Sequence, residues 1–316
     1  MSAREVSPSI IEYFSEVRFK TPLTIAGQFT KLLSRITPTL RDLQTYGRHE
    51  RTIKKRLKSV FKANNIVRIG SYSRGTSIRS FSDIDLMLIL EREEVRRGQE
   101  WKSSTSILNR VRNEIMSRCP YTQVVRDAEA VVVRFGSNQR PIEVVPAFYW
   151  EHGGAQNYPI FGIPSGKGWW MRTSPQVHNK FINDANQRSG GKLKRVAKLI
   201  RFWRQCWQVP IPLSGFYIEI FLAHEGICNG AKPYAHCLND VFALLANSQC
   251  AGIEDPMEVT QVIEPASSEE KRGRTQIAVL NSAKRAYKAL IAEMNGDIYE
   301  SLRLWNLVFN GRFPLR

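Results

Sequence analysis

The sequence predicts an α/β lobe joined to a helical lobe. Between residues 63 and 146, short runs of Val, Ile and Leu alternate with helical stretches, the pattern of a mixed sheet with helices packed on it. From Pro175 onward the helical period dominates. A long amphipathic stretch, 24–60, precedes both.

The elements follow in order. Residues 5–19 read as a short helix. Residues 24–60 read as one long helix or two abutting ones, with Leu32, Leu33, Ile36, Leu40 and Leu43 at helical spacing and a weak point at Thr37-Pro38. Ile66–Ile69 is a strand, followed by a Gly-Ser turn and a short helix near Tyr72–Ile78. Asp83–Leu90 is a strong strand, and Ser103–Arg118 is an amphipathic helix. Val124–Arg126, Ala130–Phe135 and Ile142–Val145 are strands, the last ended by Pro146. Asn157–Trp170, rich in Gly, Pro and aromatics, reads as a loop between lobes. Helices are expected over 175–189, 192–208, 214–228, 235–250, 267–294 and 297–309. Gly, Pro, Ser and charges between Ala251 and Arg274 predict a long surface loop. Two domains result: 1–165, the α/β lobe with its N-terminal helix, and 166–316, the helical lobe.

Composition narrows the class. The 316 residues hold 46 Lys and Arg against 29 Asp and Glu, a net charge of +17, which calls for a polyanionic partner such as nucleotide phosphates, nucleic acid or a membrane surface. A hydrophobic share of 42% is globular rather than disordered. Cys119, Cys206, Cys228, Cys237 and Cys250 are odd in number and form no CxxC pair, so free thiols are expected, with no zinc site. No apolar run reaches the ~20 residues of a membrane span, and MSAREVSPSIIEYF does not read as a signal peptide. A soluble, cytoplasmic protein is expected.

The chemistry concentrates in GSYSRGTSIRSFSDIDLML, residues 70–88. Side chains alternate along a strand, so Asp83 and Asp85 project together while Ile84, Leu86 and Leu88 face the other way. Two adjacent carboxylates repel, and a divalent cation removes that cost. D-x-D alone is weak evidence. Glu143 strengthens it, as the only charge in the apolar run PIEVVPAF; pairing of the two strands would bring it beside the aspartates. An edge-strand Glu facing water is the plainer alternative. Gly70-Ser71 follows a strand and opens a helix, where glycine lets the backbone approach a phosphate, and Ser71 and Ser73 add hydroxyls. Simple capping by Ser would produce the same residues.

GKLKRVAKLIRFWRQCW, residues 191–207, is a basic amphipathic helix. Lys194, Lys198 and Arg201 share one face without an acid, either as a solvated surface or as a phosphate-binding wall. Ser214 is positioned to cap the next helix, and Phe216 and Tyr217 could stack on a nucleobase or lie in the core. The five histidines do not cluster, and none is assigned a catalytic role.

Together these residues resemble the polymerase-β-like nucleotidyltransferases, in particular the cGAS/DncV-like branch that includes cyclic GMP-AMP synthase, oligoadenylate synthetase and bacterial cyclic-oligonucleotide synthases. The resemblance rests on Gly70-Ser71, Arg74–Ile78, Ser82-Asp83-Ile84-Asp85-Leu86, the IEVVPA segment at Ile142–Ala147, Arg201-Phe202-Trp203 and the closing LWNLVFNGRFP. It implies a bilobed fold: a mixed-sheet nucleotidyltransferase palm, a helical C-terminal lobe and a long N-terminal spine helix. It further implies two Mg2+ ions, with Mn2+ as a substitute, held by Asp83, Asp85 and Glu143. Nucleoside triphosphates would meet Gly70, Ser71, Ser73, Lys198, Arg201, Ser214, Phe216 and Tyr217. The third acid is usually Asp in this family and is Glu143 here. The helix base two residues before the tryptophan is often Lys and is Arg201 here. The usual stacking tyrosine is replaced by Phe216, which leaves Phe216 and Tyr217 both as candidates.

The function the resemblance implies is synthesis of a cyclic di- or trinucleotide second messenger in antiphage defence. A downstream effector would sense the product, and the basic surface could receive a nucleic-acid activator. Two other readings stay open. One is a nucleotidyltransferase acting on RNA, protein or a small molecule, or making linear oligonucleotides. The other is a non-catalytic nucleic-acid-binding protein, against which the intact acids speak.

Overall fold

The computed structural model describes residues 23–136, 140–153 and 157–316. The helix expected over 5–19 lies outside them. The long N-terminal stretch is two helices, Ile25–Ile36 and Leu40–Val60. Thr24 caps the first, its hydroxyl accepting from the Gly27 N–H at 3.1 Å. Thr39 and Asp42 form a capping box on the second, with the Thr39 N–H donating to the Asp42 carboxylate at 2.8 Å. Between the helices, Thr37 is extended (φ −80°, ψ 130°), as a residue before proline should be. The break also divides labour. Ile25, Phe29, Leu32, Leu33 and Ile36 pack into the helical lobe, whereas Ile53 and Leu57 pack under the sheet.

The sheet begins with β1 (Ala63–Arg68) and β2 (Ile84–Leu90), antiparallel to each other. The two-residue strands β3 (Arg96–Arg97) and β4 (Glu100–Trp101) form a separate ladder. β5 (Gln123–Asp127), β6 (Ala130–Arg134), β7 (Ile142–Gly153), β8 (Tyr158–Pro164) and β9 (Trp170–Thr173) complete a seven-stranded mixed sheet. Its order is β1-β2-β7-β6-β5, with β8 on the far part of β7 and β9 on β8. β2 and β7 are parallel; the other pairs are antiparallel. Ile84, Leu86 and Leu88 face a core shared with Val111 and Ile115 of the helix Ser104–Arg118.

Two sequence expectations fail here. Pro146 does not end its strand, because β7 runs on to Gly153. The proline sits where β7 changes neighbour: β6 pairs as far as Val144 and β8 begins at Phe148. On that side no ladder partner loses a hydrogen bond to the missing N–H. The loop expected over 157–170 is in fact mostly β8, which with β9 carries the sheet to Thr173. Gly162 is needed there: a Cβ would lie 2.5 Å from the Phe148 ring.

The helical lobe comprises Pro175–Arg188, Lys192–Gln205, Gly215–His224, Tyr234–Asn247, Glu269–Met294 and Ile298–Val308. Trp203 and Trp305 are fully buried at its centre, and the Trp203 indole N–H donates to Ser282 Oγ at 3.0 Å. The segment between Ala251 and Glu269 is not a plain surface loop. It holds the small hairpin β10 (Ile253–Glu254) and β11 (Val262–Ile263), and Asp255, Met257 and Val259 are buried. All five cysteines are free thiols. Among the described residues no helix is long and apolar enough to cross a membrane.

Candidate active site

The parallel pairing of β2 and β7 sets the site. Asp85 and Glu143 are register partners on adjacent strands, so their side chains leave the same face of the sheet. Met87 and Ala147 continue that face, while Ile84, Leu86, Ile142 and Val144 occupy the other. Asp83 stands just before β2. Arg140 holds this approach in place: its guanidinium donates to the Ser82 carbonyl at 2.9 Å and the Ile78 carbonyl at 3.0 Å. Gly70 closes the arrangement from β1. It adopts φ +67°, and a Cβ there would fall 1.7 Å from Asp85 Oδ2. Only glycine lets the turn lie against that carboxylate.

Packing three acids together has an electrostatic consequence. Burial raises Asp83, partly offset by hydrogen bonding with Glu143 and by the charges of Arg134 and Arg140. Burial and then the Asp83 charge raise Asp85. Burial and then the charges of Asp85 and Asp83 raise Glu143. All three therefore resist full ionisation without a compensating cation.

The acids open into a cleft of about 520 Å3 between the two lobes, within the range of small-molecule sites. Opposite them stands a basic wall organised by Glu219, which is fully buried. Arg201 donates to Glu219 Oε1 through Nε at 3.0 Å and Nη2 at 2.8 Å. Arg74, from the Gly70–Arg74 helix of the palm, and Thr76 also donate to this carboxylate. Burial alone would raise Glu219, but the guanidinium charges of Arg201 and Arg74 outweigh it and hold the acid below its usual range. Gly215 makes the fit possible, since a Cβ would lie 2.5 Å from the Arg201 guanidinium carbon. Arg204 also lines the cleft. Its Nε donates to the Ile211 carbonyl at 3.2 Å, and burial together with the Arg201 charge pushes it down to about 10.

Of the residues singled out from sequence, Asp83, Asp85, Glu143, Gly70, Ser71, Arg201 and Phe216 line this cleft. Four others do not. Ser73 is exposed and its hydroxyl donates to the Gly70 carbonyl at 2.9 Å. Lys198 is half-buried away from the cleft lining, where burial and its neighbours Arg195 and Lys194 lower its pKa. Ser214 spends its hydroxyl on the helix N-terminus, accepting from the Tyr217 N–H at 3.3 Å. Tyr217 is core, stacked on Phe221 and donating to the Ala251 carbonyl at 2.7 Å. Tyr217, turned ~100° from Phe216 about the helix, points into the core instead of the cleft. Phe216 faces the cleft, under the Arg74 guanidinium and edge-on to His178.

Sequence reasoning missed Glu219 and the buried pair His178–Asp255; Arg204 it placed on the basic surface of its helix, without assigning it to the site. Glu219 carried a usable signal: like Glu143, it is a lone acid in an apolar run, GFYIEIF. His178 lines the cleft and meets Asp255 at 3.0 and 3.1 Å. Asp255 also accepts the Met257, Val259 and Thr260 N–H groups, tying the 255–260 turn to the cleft wall. The two residues are 77 positions apart, and no local pattern connects them.

The donor chemistry suits a hard divalent cation: carboxylate oxygens on one sheet face, with a glycine backbone against one of them. Among the described residues no three acidic, His or Cys side chains enclose an ion by themselves. That is compatible with magnesium, which completes its shell with water and substrate phosphate.

The chain resembles known proteins in both sequence and fold. Residues 23–186, just over half of the chain, match the family of the Second Messenger Oligonucleotide or Dinucleotide Synthetase domain. The chain is 22% identical over 287 residues to a probable cyclic nucleotide synthase of Bacillus cereus (strain VD146), covering 81% of this chain and 84% of the relative. It is 22% identical over 337 residues to the cyclic AMP-AMP-AMP synthase of Escherichia coli (strain MS 115-1), covering 99% of both. Its fold matches the crystal structure of Vibrio cholerae DncV in the 3′-deoxy GTP bound form, with a TM-score of 0.72 at 13% identity over 92% of this chain and 96% of that one.

Proposed function

The chain belongs to the family of Second Messenger Oligonucleotide or Dinucleotide Synthetase domains, and from that premise we propose that it joins nucleoside triphosphates into a cyclic di- or trinucleotide. Pyrophosphate is released at each bond. The observation that carries this reading is the register pairing of Asp85 with Glu143, with Gly70 against Asp85, facing a basic wall across one cleft.

Asp83, Asp85 and Glu143 would hold two divalent cations, Mg2+ in the cell and Mn2+ as a substitute. Bound there, the ions would neutralise triphosphate charge and make the acceptor hydroxyl more acidic. The protein's own groups do the rest. Gly70 fixes the Asp85 carboxylate, and the Ser71 hydroxyl faces the same cleft. A Glu143 carboxylate oxygen is the group to take the acceptor's proton. Arg201 and Arg204 supply positive charge toward the phosphates, and Phe216 offers its ring to a base. Glu219 keeps Arg201 and Arg74 oriented, so the palm turn and the helical lobe hold one geometry.

The biological setting we propose is bacterial antiphage signalling in the cytoplasm, with an effector that senses the product. The net charge of +17 supports a nucleic-acid activator. Mass spectrometry of products from mixed triphosphates with Mg2+ tests the reading, with Asp85→Asn as control. A cyclic oligonucleotide and pyrophosphate, both absent from the control, are expected. A nucleotide left attached to a macromolecule would replace this reading with simple nucleotidyl transfer.

A further inference from the structure

The helix Glu269–Met294 has two apolar sides. Thr275, Val279, Ser282, Ala286 and Ala289 are buried against the lobe. On the other side Ile277, Leu280, Tyr287, Ile291 and Met294 are 66, 47, 62, 39 and 77% exposed. With exposed Lys284 filling the series, these positions alternate steps of three and four, the seam of a heptad repeat. Scattered exposed apolar side chains need no explanation, but five in one line over about 25 Å of helix do.

We propose that this seam is a homodimer interface, on which a second copy of the chain lays the same helix antiparallel about a two-fold axis. The sequence of the seam is complementary to itself in that direction. With the axis between Arg285 and Ala286, Ile277 meets Met294 of the second copy, Leu280 meets Ile291 and Lys284 meets Tyr287. Each layer then occurs twice, as a two-fold interface requires. Lys284 selects the direction. A parallel pair would set Lys284 against its own copy, two ammonium groups face to face. The antiparallel pair sets it on the Tyr287 ring, an attractive cation–π contact. Of the flanking charges, Arg274 then lies opposite Asn295 and Lys288 opposite Asn281. None of the seam residues lines the nucleotide cleft, so the proposal stands independently of the catalytic reading.

Sedimentation equilibrium of the full chain, over concentrations reaching well into the micromolar, tests this. A dimer is expected. Leu280→Glu buries a charge in two layers and should raise its dissociation constant about 100-fold or more. Direction is read by disulfide trapping. The double variant Ile277→Cys with Met294→Cys should cross-link on oxidation, and Ile277→Cys alone should not. Self-linking of the single variant would overturn the antiparallel register. A wild-type chain that stays monomeric throughout would overturn the proposal. A dimer indifferent to Leu280→Glu would place the interface elsewhere.

Discussion

Substituting Gly70 by Ala separates two physical effects that coincide at the turn against Asp85. Gly70 has φ +67°, where a side chain costs about 1–2 kcal/mol of backbone strain. The added Cβ would also lie 1.7 Å from Asp85 Oδ2 and 2.6 Å from its Cγ. Contacts under 3.0 Å do not persist, so the carboxylate must retreat by about 1.3 Å. With Asp85 in its proposed role of holding a cation, a displacement of that size is expected to lower kcat about 100-fold. Gly75 supplies the control. Its φ is +71°, yet a Cβ there would find nothing nearer than the Lys194 side chain at 4.0 Å. Gly75→Ala therefore carries the backbone strain alone. Both variants should lose a few degrees of Tm, at ~2–4 °C per kcal/mol. Only Gly70→Ala should lose the rate of pyrophosphate release. Equal rates for the two variants would refute the argument that glycine is required by its contact with Asp85.

Three further outcomes follow from the same geometry. Glu219→Ala strands two guanidinium groups in a buried site and should cost about 3–5 kcal/mol in urea unfolding; a loss under about 1 kcal/mol would remove Glu219 as the organiser of the basic wall. Phe216→Ala should raise the KM for triphosphate about 5- to 150-fold, as lost base stacking of 1–3 kcal/mol implies. Tyr217→Phe should leave KM unchanged and cost about 1 kcal/mol of stability through its bond to Ala251; the reverse pattern would exchange their roles. Burial would raise Asp255, but the His178 hydrogen bond and charge and the Thr260 and Met257 N–H groups prevail and hold it down, at about 2. A depressed acid stabilises the fold above its unfolded value of about 3.9 and loses that contribution as pH falls through about 2. The stability gap between wild type and Asp255→Asn, read from urea midpoints, should be full at pH 7 and shrink from pH 4 downward. A gap that widens with acid would contradict the assignment.

The sequence by itself determined the alternation of strands and helices and the break at Pro38, because these follow from local sterics and from the period of apolar residues. It also singled out Asp83 and Asp85 as a pair, although the strand begins at Ile84, so the fold just before β2, rather than strand alternation, brings Asp83 to the same cleft. Glu143 stood out as the only charge in its apolar run, but its place beside Asp85 is a matter of register between strands 58 residues apart, and only the folded sheet fixes register. The same holds for the basic wall. Lys198, Arg201 and Arg204 are equivalent as letters on one helix. Burial of Glu219 behind Arg201, and the turn of that helix past the cleft, decide which of them face the site. Phe216 and Tyr217 differ by one helical step, and packing of the tyrosine into the core leaves Phe216 as the one that lines the cleft. His178 and Asp255 had no signal at all, because their bond joins distant segments through a contact that no local pattern encodes. Local propensity thus set the elements and their faces, and the tertiary structure decided which faces meet.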